Sequence, residues 1–595
     1  MKVCFLLCAV FSIIAVISIF VFLFLRGVPA LSKIGVFKFI FGKSWNPLNS
    51  DSMDKPLEGF YGILPMIAGS LYATAGALVI GGGLGIFTAV FLAKFCPKRL
   101  KKPLTQIINL LAGLPSIIYG FFGMIVLVPF LGKFSSNGSG SGLLAVSLVL
   151  GIMILPTVVA LSKTSIEAVD NSYYEGAVAL GATHEQAVFK VMVPAAKSGI
   201  FASVILGTGR AIGETMAVVM ISGGNTVFPT GLFGSFRTVT ANIVMEMSYA
   251  SPFHMTALIA NGCALFVFIM IINLCFALIK RDKKTKGGKR GKQRRGKAIK
   301  ETAGLTITEN KRLKTFRQYS AKAGKFFSYL TAAAGTLSLV AIVLFILIKG
   351  LPHITGQLLF GKFTFSGPRT ILPAVTATLM AVALTSVIAF PLGIFTAIYL
   401  AEYTKKGSRT VKLIRFCVET LGGIPSIVYG LFGMVLFCGI FKMGASILAG
   451  SLTLSIMIIP VTVRATEESL KSVPDSYREG SFALGCGKLR TIYKIIIPSA
   501  LPGILSAVIL GIGKIVSESA PFLFTTGASM KAMPKGFKSA GTTLAVAVYA
   551  LAREGKYVNE AYAAACVLIF LVLILNIAAT WLAGRLQKKL SGKKS

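Results

Sequence analysis

Residues 175–200 read EGAVALGATHEQAVFKVMVPAAKSGI, and residues 479–504 read EGSFALGCGKLRTIYKIIIPSALPGI. Both place an acid first (Glu175, Glu479), a small residue two positions on (Ala177, Ser481) and a glycine six after the acid (Gly181, Gly485). A proline closing an apolar run follows thirteen after that glycine (Pro194, Pro498). The spacing predicts a short amphipathic helix, a glycine-permitted turn, a second short helix and a proline that opens the next apolar segment. A loop between two apolar segments can carry a surface helix without any further role. Two copies at equal spacing point instead to a repeated element that docks in a partner.

The repetition extends outward from these loops. Ile63-Leu64-Pro65 recurs as Ile371-Leu372-Pro373, and Gly85-Ile86-Phe87-Thr88-Ala89 as Gly393-Ile394-Phe395-Thr396-Ala397. Leu114-Pro115-Ser116-Ile117-Ile118-Tyr119-Gly120 returns as Ile424-Pro425-Ser426-Ile427-Val428-Tyr429-Gly430. With 54% apolar residues, 14% charged residues and a mean hydropathy of +0.78, the 595-residue chain reads as an all-α polytopic membrane protein. Apolar runs predict about twelve spans. Six lie near 4–25, 63–94, 107–132, 142–161, 199–220 and 255–279. Six more lie near 327–349, 372–401, 413–440, 446–463, 500–525 and 560–583.

The expected organisation is one half at 1–279, a basic linker at 280–325 and a second half at 326–595. An even number of spans per half makes the repeat parallel, with a pseudo-two-fold axis along the membrane normal and a pathway between the halves. If the linker is inside, both termini are inside, although basic residues such as Lys535 and Arg553 in the predicted outer segment 526–558 run against that count. The apolar run Val3–Leu25 exceeds a signal-peptide core and is expected to stay as the first span.

The chain holds 61 Lys+Arg against 21 Asp+Glu, a net charge of +40. These cations cluster in short breaks between apolar runs, the positive-inside pattern of a membrane protein, so nucleic acid is not the expected partner. The 9 Cys, never arranged as Cys-x-x-Cys, suggest neither a disulfide framework nor a zinc site. No phosphate-binding Gly-x-x-x-x-Gly-Lys-[Ser/Thr] occurs, and His184, His254 and His353 stand in separate regions. An enzyme with its own active site is not expected, and no metal or cofactor is expected to be bound by this chain.

Two charge pairs sit inside apolar runs, Arg210 with Glu214 and Lys514 with Glu518. An ionised side chain at mid-bilayer costs about 2.5–3.5 kcal/mol on insertion scales, so these residues need a reason. One reason is an i,i+4 ion pair that neutralises itself on a helix face. The other is a cation that meets a translocating anion, with an adjacent acid that prevents trapping. Pro115, Ser116, Pro425 and Ser426 are candidates for shaping the pathway, and the Gly81-Gly82-Gly83 run for close helix packing.

The 175–200 and 479–504 loops resemble the EAA loops of the membrane subunits of binding-protein-dependent ABC importers. LAGLPSIIYGFFGM (111–124), GRAIGETMAV (209–218), GGIPSIVYGLFGM (422–434) and ESAPFLFTTG (518–527) resemble the permease subunits of the phosphate ABC importer. The first half is PstC-like and the second PstA-like. The resemblance implies the MetI-like transmembrane fold, with Glu175, Ala177, Gly181, Pro194, Glu479, Gly485 and Pro498 in coupling loops. Two copies of a cytoplasmic ABC ATPase, which use ATP and Mg, would seat on those loops. It further implies an extracytoplasmic phosphate-binding protein, inorganic phosphate as substrate, and a bacterial inner-membrane location.

Three features depart from the pattern: both subunits share one chain, Ser481 replaces an alanine, and Lys514 stands where an arginine is usual. A permease for sulfate, molybdate or phosphonate shares the same buried-cation logic. An ion-coupled secondary carrier, with Glu214, Glu419 and Glu518 as its membrane acids, is the rival reading. A non-transporting membrane scaffold or sensor is the third.

Overall fold

The computed structural model describes residues 2–47, 60–136, 138–272 with 274, 311–361, 370–404, 414, 415, 418, 422–528 and 533–590. Helix is the expected answer for apolar segments that cross lipid, because it pairs every backbone polar group within the segment. The first half runs α1 (Lys2–Ile34), α2 (Leu64–Phe95), amphipathic α3 (Lys98–Ala112), short α4 (Ser116–Gly132) and α5 (Leu143–Glu167). The loop helices α6 (Asn171–Ala179) and α7 (His184–Ala195) follow, then α8 (Lys197–Gly213), α9 (Met216–Ile221), α10 (Val239–Glu246) and α11 (Pro252–Ile272).

The second half repeats this order. It comprises α12 (Lys311–Gly350), α13 (Leu372–Tyr403), α14 (Ser426–Ile440), α15 (Ile447–Lys471), α16 (Asp475–Ala483), α17 (Lys488–Ser517), α18 (Ala520–Thr525), α19 (Leu544–Glu554) and α20 (Val558–Leu590).

Among the described residues, 9 helices are long and apolar enough to cross a membrane, and the α7–α8 pair, bent by 67°, makes a tenth. α4 and α14 are shorter and complete the six-plus-six order. Hydropathy misplaced their starts. The span expected from 107 begins at Ser116, because Pro115 is extended (φ −57°, ψ 136°) and separates it from α3. In the second half Pro425 does the same (φ −60°, ψ 144°). Residues 311–325, read as linker, are the first turns of α12, a 40-residue helix rich in the good helix formers Lys, Arg, Ala and Leu. Residues 280–310 and Glu419 lie outside the described residues.

At 1.5 Å per residue α12 is about 60 Å long, twice the hydrocarbon thickness. It lies mostly against the other half. Tyr329 packs edge-on against Phe91 of α2 (4.8 Å) and donates its hydroxyl to the Phe95 carbonyl (3.2 Å). α1 does the reciprocal thing on α13: Phe5 meets Phe395 (5.4 Å), and the Ser12 and Thr396 hydroxyls are 3.1 Å apart. Each half therefore lends its first helix to the second helix of its partner, and the halves interlock. Close approach inside the first half is set by glycine: a Cβ on Gly81 of α2 would lie 2.1 Å from the Gly151 carbonyl oxygen of α5.

Candidate functional site

In both halves the fifth span breaks at its acid. α8 ends at Gly213, and Glu214 turns extended (φ −70°, ψ 134°) before α9 begins. α17 ends at Ser517, and Glu518 adopts nearly the same geometry (φ −78°, ψ 134°) before α18. Each acid thus stands at the break rather than on the regular helix that carries its cation.

Three of the four charges also have polar partners outside the set. Arg210 donates to the Thr157 hydroxyl on α5 (2.9 Å). A Glu214 carboxylate oxygen accepts from the backbone N–H of Ala217 in the first turn of α9 (3.3 Å). Glu518 is hydrogen-bonded to Ser426, the first residue of α14. All four are half-buried, and their fields overlap across the halves: Glu518 interacts with Lys514, Glu214 and Arg210, and Lys514 with Arg210. Two cations and two acids, one of each from either half, thus lie within electrostatic reach of one another.

The Pro-Ser motifs frame this cluster. Pro425 packs against Gly213, whose added Cβ would sit 3.6 Å from the Pro425 Cα, so the first half's break touches the second half's proline. Tyr119 of α4 lies within electrostatic reach of Arg210, and Tyr429 of α14 within reach of Glu518; both are 1% exposed. Gly120 brings α4 onto α9, since a Cβ there would lie 2.7 Å from the Ala217 Cα. Pro115 and Ser116 start α4 as Pro425 and Ser426 start α14.

The first part of each repeated loop folds as its spacing predicts, a short helix followed by a glycine turn. Asp170 caps α6 by accepting from the Ser172 N–H (2.8 Å), and that bond holds its carboxyl below the usual range. Gly181 (φ +81°) and Gly485 (φ +75°) take the left-handed turn that favours glycine. Thr183 and Gln186 then form a reciprocal capping box that starts α7. Glu175 and Glu479 are exposed. The residues before the two glycines stand out furthest, Leu180 at 91% and Leu484 at 85% exposure.

The departure at Ser481 is matched by its neighbour. Its buried hydroxyl bonds Thr491 (2.8 Å), and these two stand where the first loop has Ala177 and Ala187. The expected proline start is met in neither loop: Pro498 lies inside α17, which runs unbroken from the loop into the membrane, and Pro194 lies near the end of α7, before the 67° bend, with α8 starting only at Lys197.

The loops are also tied to the second span of their own half by different chemistry. In the first, the Tyr174 hydroxyl meets His184 Nδ1 (2.7 Å), and His184 Nε2 reaches the Lys94 carbonyl (3.3 Å). In the second, Arg478 pairs with Glu402 (2.7 Å).

Comparison with known proteins is decisive on the family. The model described as "Binding-protein-dependent transport system inner membrane component" matches residues 81–285 and again 389–592. The chain belongs to this family. It carries the family's domain twice, once in each half, and is a multi-pass ABC transporter permease. It is similar to the "Probable ABC transporter permease protein YqgH" of Bacillus subtilis, at 39% identity over 246 residues, 41% of this chain and 77% of that protein. A "Phosphate transport system permease protein PstA homolog" of Mycoplasma pneumoniae is 28% identical over 507 residues, 77% of this chain and 76% of that protein. The "Phosphate transport system permease protein PstC" of Mesorhizobium japonicum is 34% identical over 285 residues, 44% of this chain and 84% of that protein. The Mycoplasma match is long enough to cross from one half into the other, as expected for a PstC–PstA-like fusion.

Thr157 is the site residue that sequence reasoning missed. It is a lone hydroxyl after Pro156 in an apolar run, and Val461 takes its place after Pro460 in the second half. The halves therefore present unlike cations: a fork held by a hydroxyl on one side and a point charge on the other.

Proposed function

We propose that this permease forms the membrane pathway of an ATP-driven importer of inorganic phosphate, with Arg210 and Lys514 as the cations that meet the anion. The observation that carries the reading is the pair of matching breaks in the fifth spans, which bring a cation and an acid from each half into electrostatic reach of one another, with Arg210 held by Thr157. Names of relatives from phosphate transport systems support the choice of substrate. Arg210, preorganised by Thr157, offers a planar fork suited to an oxyanion. Glu214 and Glu518 balance the cations, so that an entering anion is bound without being trapped.

The loops at 175–200 and 479–504 face the cytoplasm and seat in two copies of an ABC ATPase, with Leu180 and Leu484 as their protruding knobs. Those partners bind and hydrolyse ATP with Mg, and an extracytoplasmic phosphate-binding protein delivers substrate to the opposite face. Both termini then lie in the cytoplasm. The test is Arg210→Ala in proteoliposomes with the ATPase and binding protein. Uptake is expected to fall at least tenfold while ATPase association is retained, and full uptake by the variant contradicts a role for this cation.

A further inference from the structure

A buried polar clamp occupies the face opposite the repeated loops, and among the described residues it is found in the first half alone. Glu246, at the end of α10, is 4% exposed. One carboxylate oxygen accepts from Trp45 Nε1 (2.7 Å) and faces His254 Nε2 (2.8 Å), while the other pairs with Arg237. Arg237 also donates to the Asn242 side chain (2.8 Å) and to the Gly224 carbonyl (2.9 Å). The clamp thereby joins the segment after α1, the approach to α10, its end, and the start of α11.

At the other end of α10 stands Thr240, 1% exposed, whose hydroxyl donates to the backbone carbonyl of Glu214 (3.0 Å). Thr238 caps this helix start and lies 3.0 Å from the Thr240 hydroxyl. Six residues of helix, about 9 Å, separate Thr240 from Glu246. The stretch 214–224, which carries α9, is consequently held at both ends by one unit: Thr240 on the Glu214 carbonyl and Arg237 on the Gly224 carbonyl. In the second half, counting from the matching helix start at Thr543, Ala545 stands for Thr240 and Leu551 for Glu246. α19 is held there by apolar packing, with Leu544 to Leu551 nearly all fully buried.

We propose that Thr240 and Glu246 are positioning residues for the pathway, fixing the Glu214 backbone beside Arg210 and carrying changes at the opposite face to it through α10. The clamp has this reach because Glu246 is a carboxylate shared by three donors; loosening any of them frees α10 to shift. The proposal rests on the transport role assigned to the charge cluster, so its test has two arms.

In the first arm, amide exchange over residues 214–218 is read by mass spectrometry on the full chain in lipid nanodiscs, with no transport involved. Thr240→Val is expected to raise exchange there about fivefold, the loss of one buried hydrogen bond. Thr240→Ser should restore the wild-type rate, and Glu246→Gln should raise it as well. Unchanged exchange in Thr240→Val overturns the proposal, even if Glu246→Gln fails to fold.

The second arm measures phosphate moved per ATP hydrolysed in proteoliposomes with the partner ATPase and binding protein. A merely structural role lowers the amount of assembled complex and leaves this ratio alone. Positioning lowers the ratio about fivefold in Thr240→Val, with recovery in Thr240→Ser. A wild-type ratio in Thr240→Val overturns the positioning role. Wild-type protein that moves no phosphate refutes the transport reading instead, and the exchange arm still decides whether α10 holds Glu214.

Discussion

Leu180→Ala and Leu484→Ala isolate docking from folding. Each leucine protrudes almost fully, at 91% and 85% exposure, just before a glycine whose left-handed turn fixes the tip of the loop. A side chain with so few neighbours contributes within about 0.5 kcal/mol to stability, so thermal unfolding is expected to be unchanged. If the tips seat in ATPase grooves, each leucine is buried on docking. Truncation to alanine then removes about 2 kcal/mol of apolar transfer energy, about 30-fold in affinity. The loops stand on separate helices, so the effects should compound in the double variant. The assay is the dissociation constant of the partner ATPase for the permease in nanodiscs, measured by interferometry. Single variants within threefold of wild type, with unaltered unfolding, refute the docking role of these tips.

The glycine run at 81–83 makes a graded test of packing. Gly81→Ala drives a Cβ to 2.1 Å from a backbone oxygen and should destabilise by about 1–3 kcal/mol or more. Gly82→Ala meets nothing within 4 Å and should leave the unfolding temperature in detergent nearly unchanged. Equal effects from both contradict the helix crossing described. Acid should weaken the Glu246 clamp. Burial alone would raise its pKa, but the donors from His254, Trp45 and Arg237 outweigh burial and hold the carboxyl below its usual range. A depressed native pKa means a contribution present above the unfolded-state value and lost as pH falls through the native one. Unfolding curves of wild type and Glu246→Gln should therefore converge in acid, and a constant separation at every pH argues against this role.

The repeat, the six-plus-six order and the loop geometry were legible because spacing alone encodes them. Gly181 and Gly485 announce their turns, but neither Pro194, inside α7, nor Pro498, inside α17, starts the next span. The helix breaks at Glu214 and Glu518 were not legible, since apolar runs continue through both and hydropathy does not register a change in backbone direction. The i,i+4 spacing therefore could not reveal that each acid stands at a break. The basic composition of 311–325 similarly hid residues with good helix propensity, which α12 uses to extend past the membrane. Nothing in a periodicity says that α1 packs on α13 and α12 on α2, because a lipid-facing stripe and a stripe facing the other half are equally apolar. Thr157 and Thr240 escaped notice for the reverse reason: a single hydroxyl in a span usually bonds its own helix, and only the fold reveals that these reach Arg210 and the Glu214 carbonyl.

The most direct test of the account is radiolabelled phosphate uptake into proteoliposomes containing this chain, its ATPase and its binding protein, with ATP, without ATP, and with an imposed ion gradient in its place. Uptake that requires ATP and both partners, and resists competition by sulfate and molybdate, is the predicted result. Uptake driven by the gradient alone would contradict it and make the chain a secondary carrier.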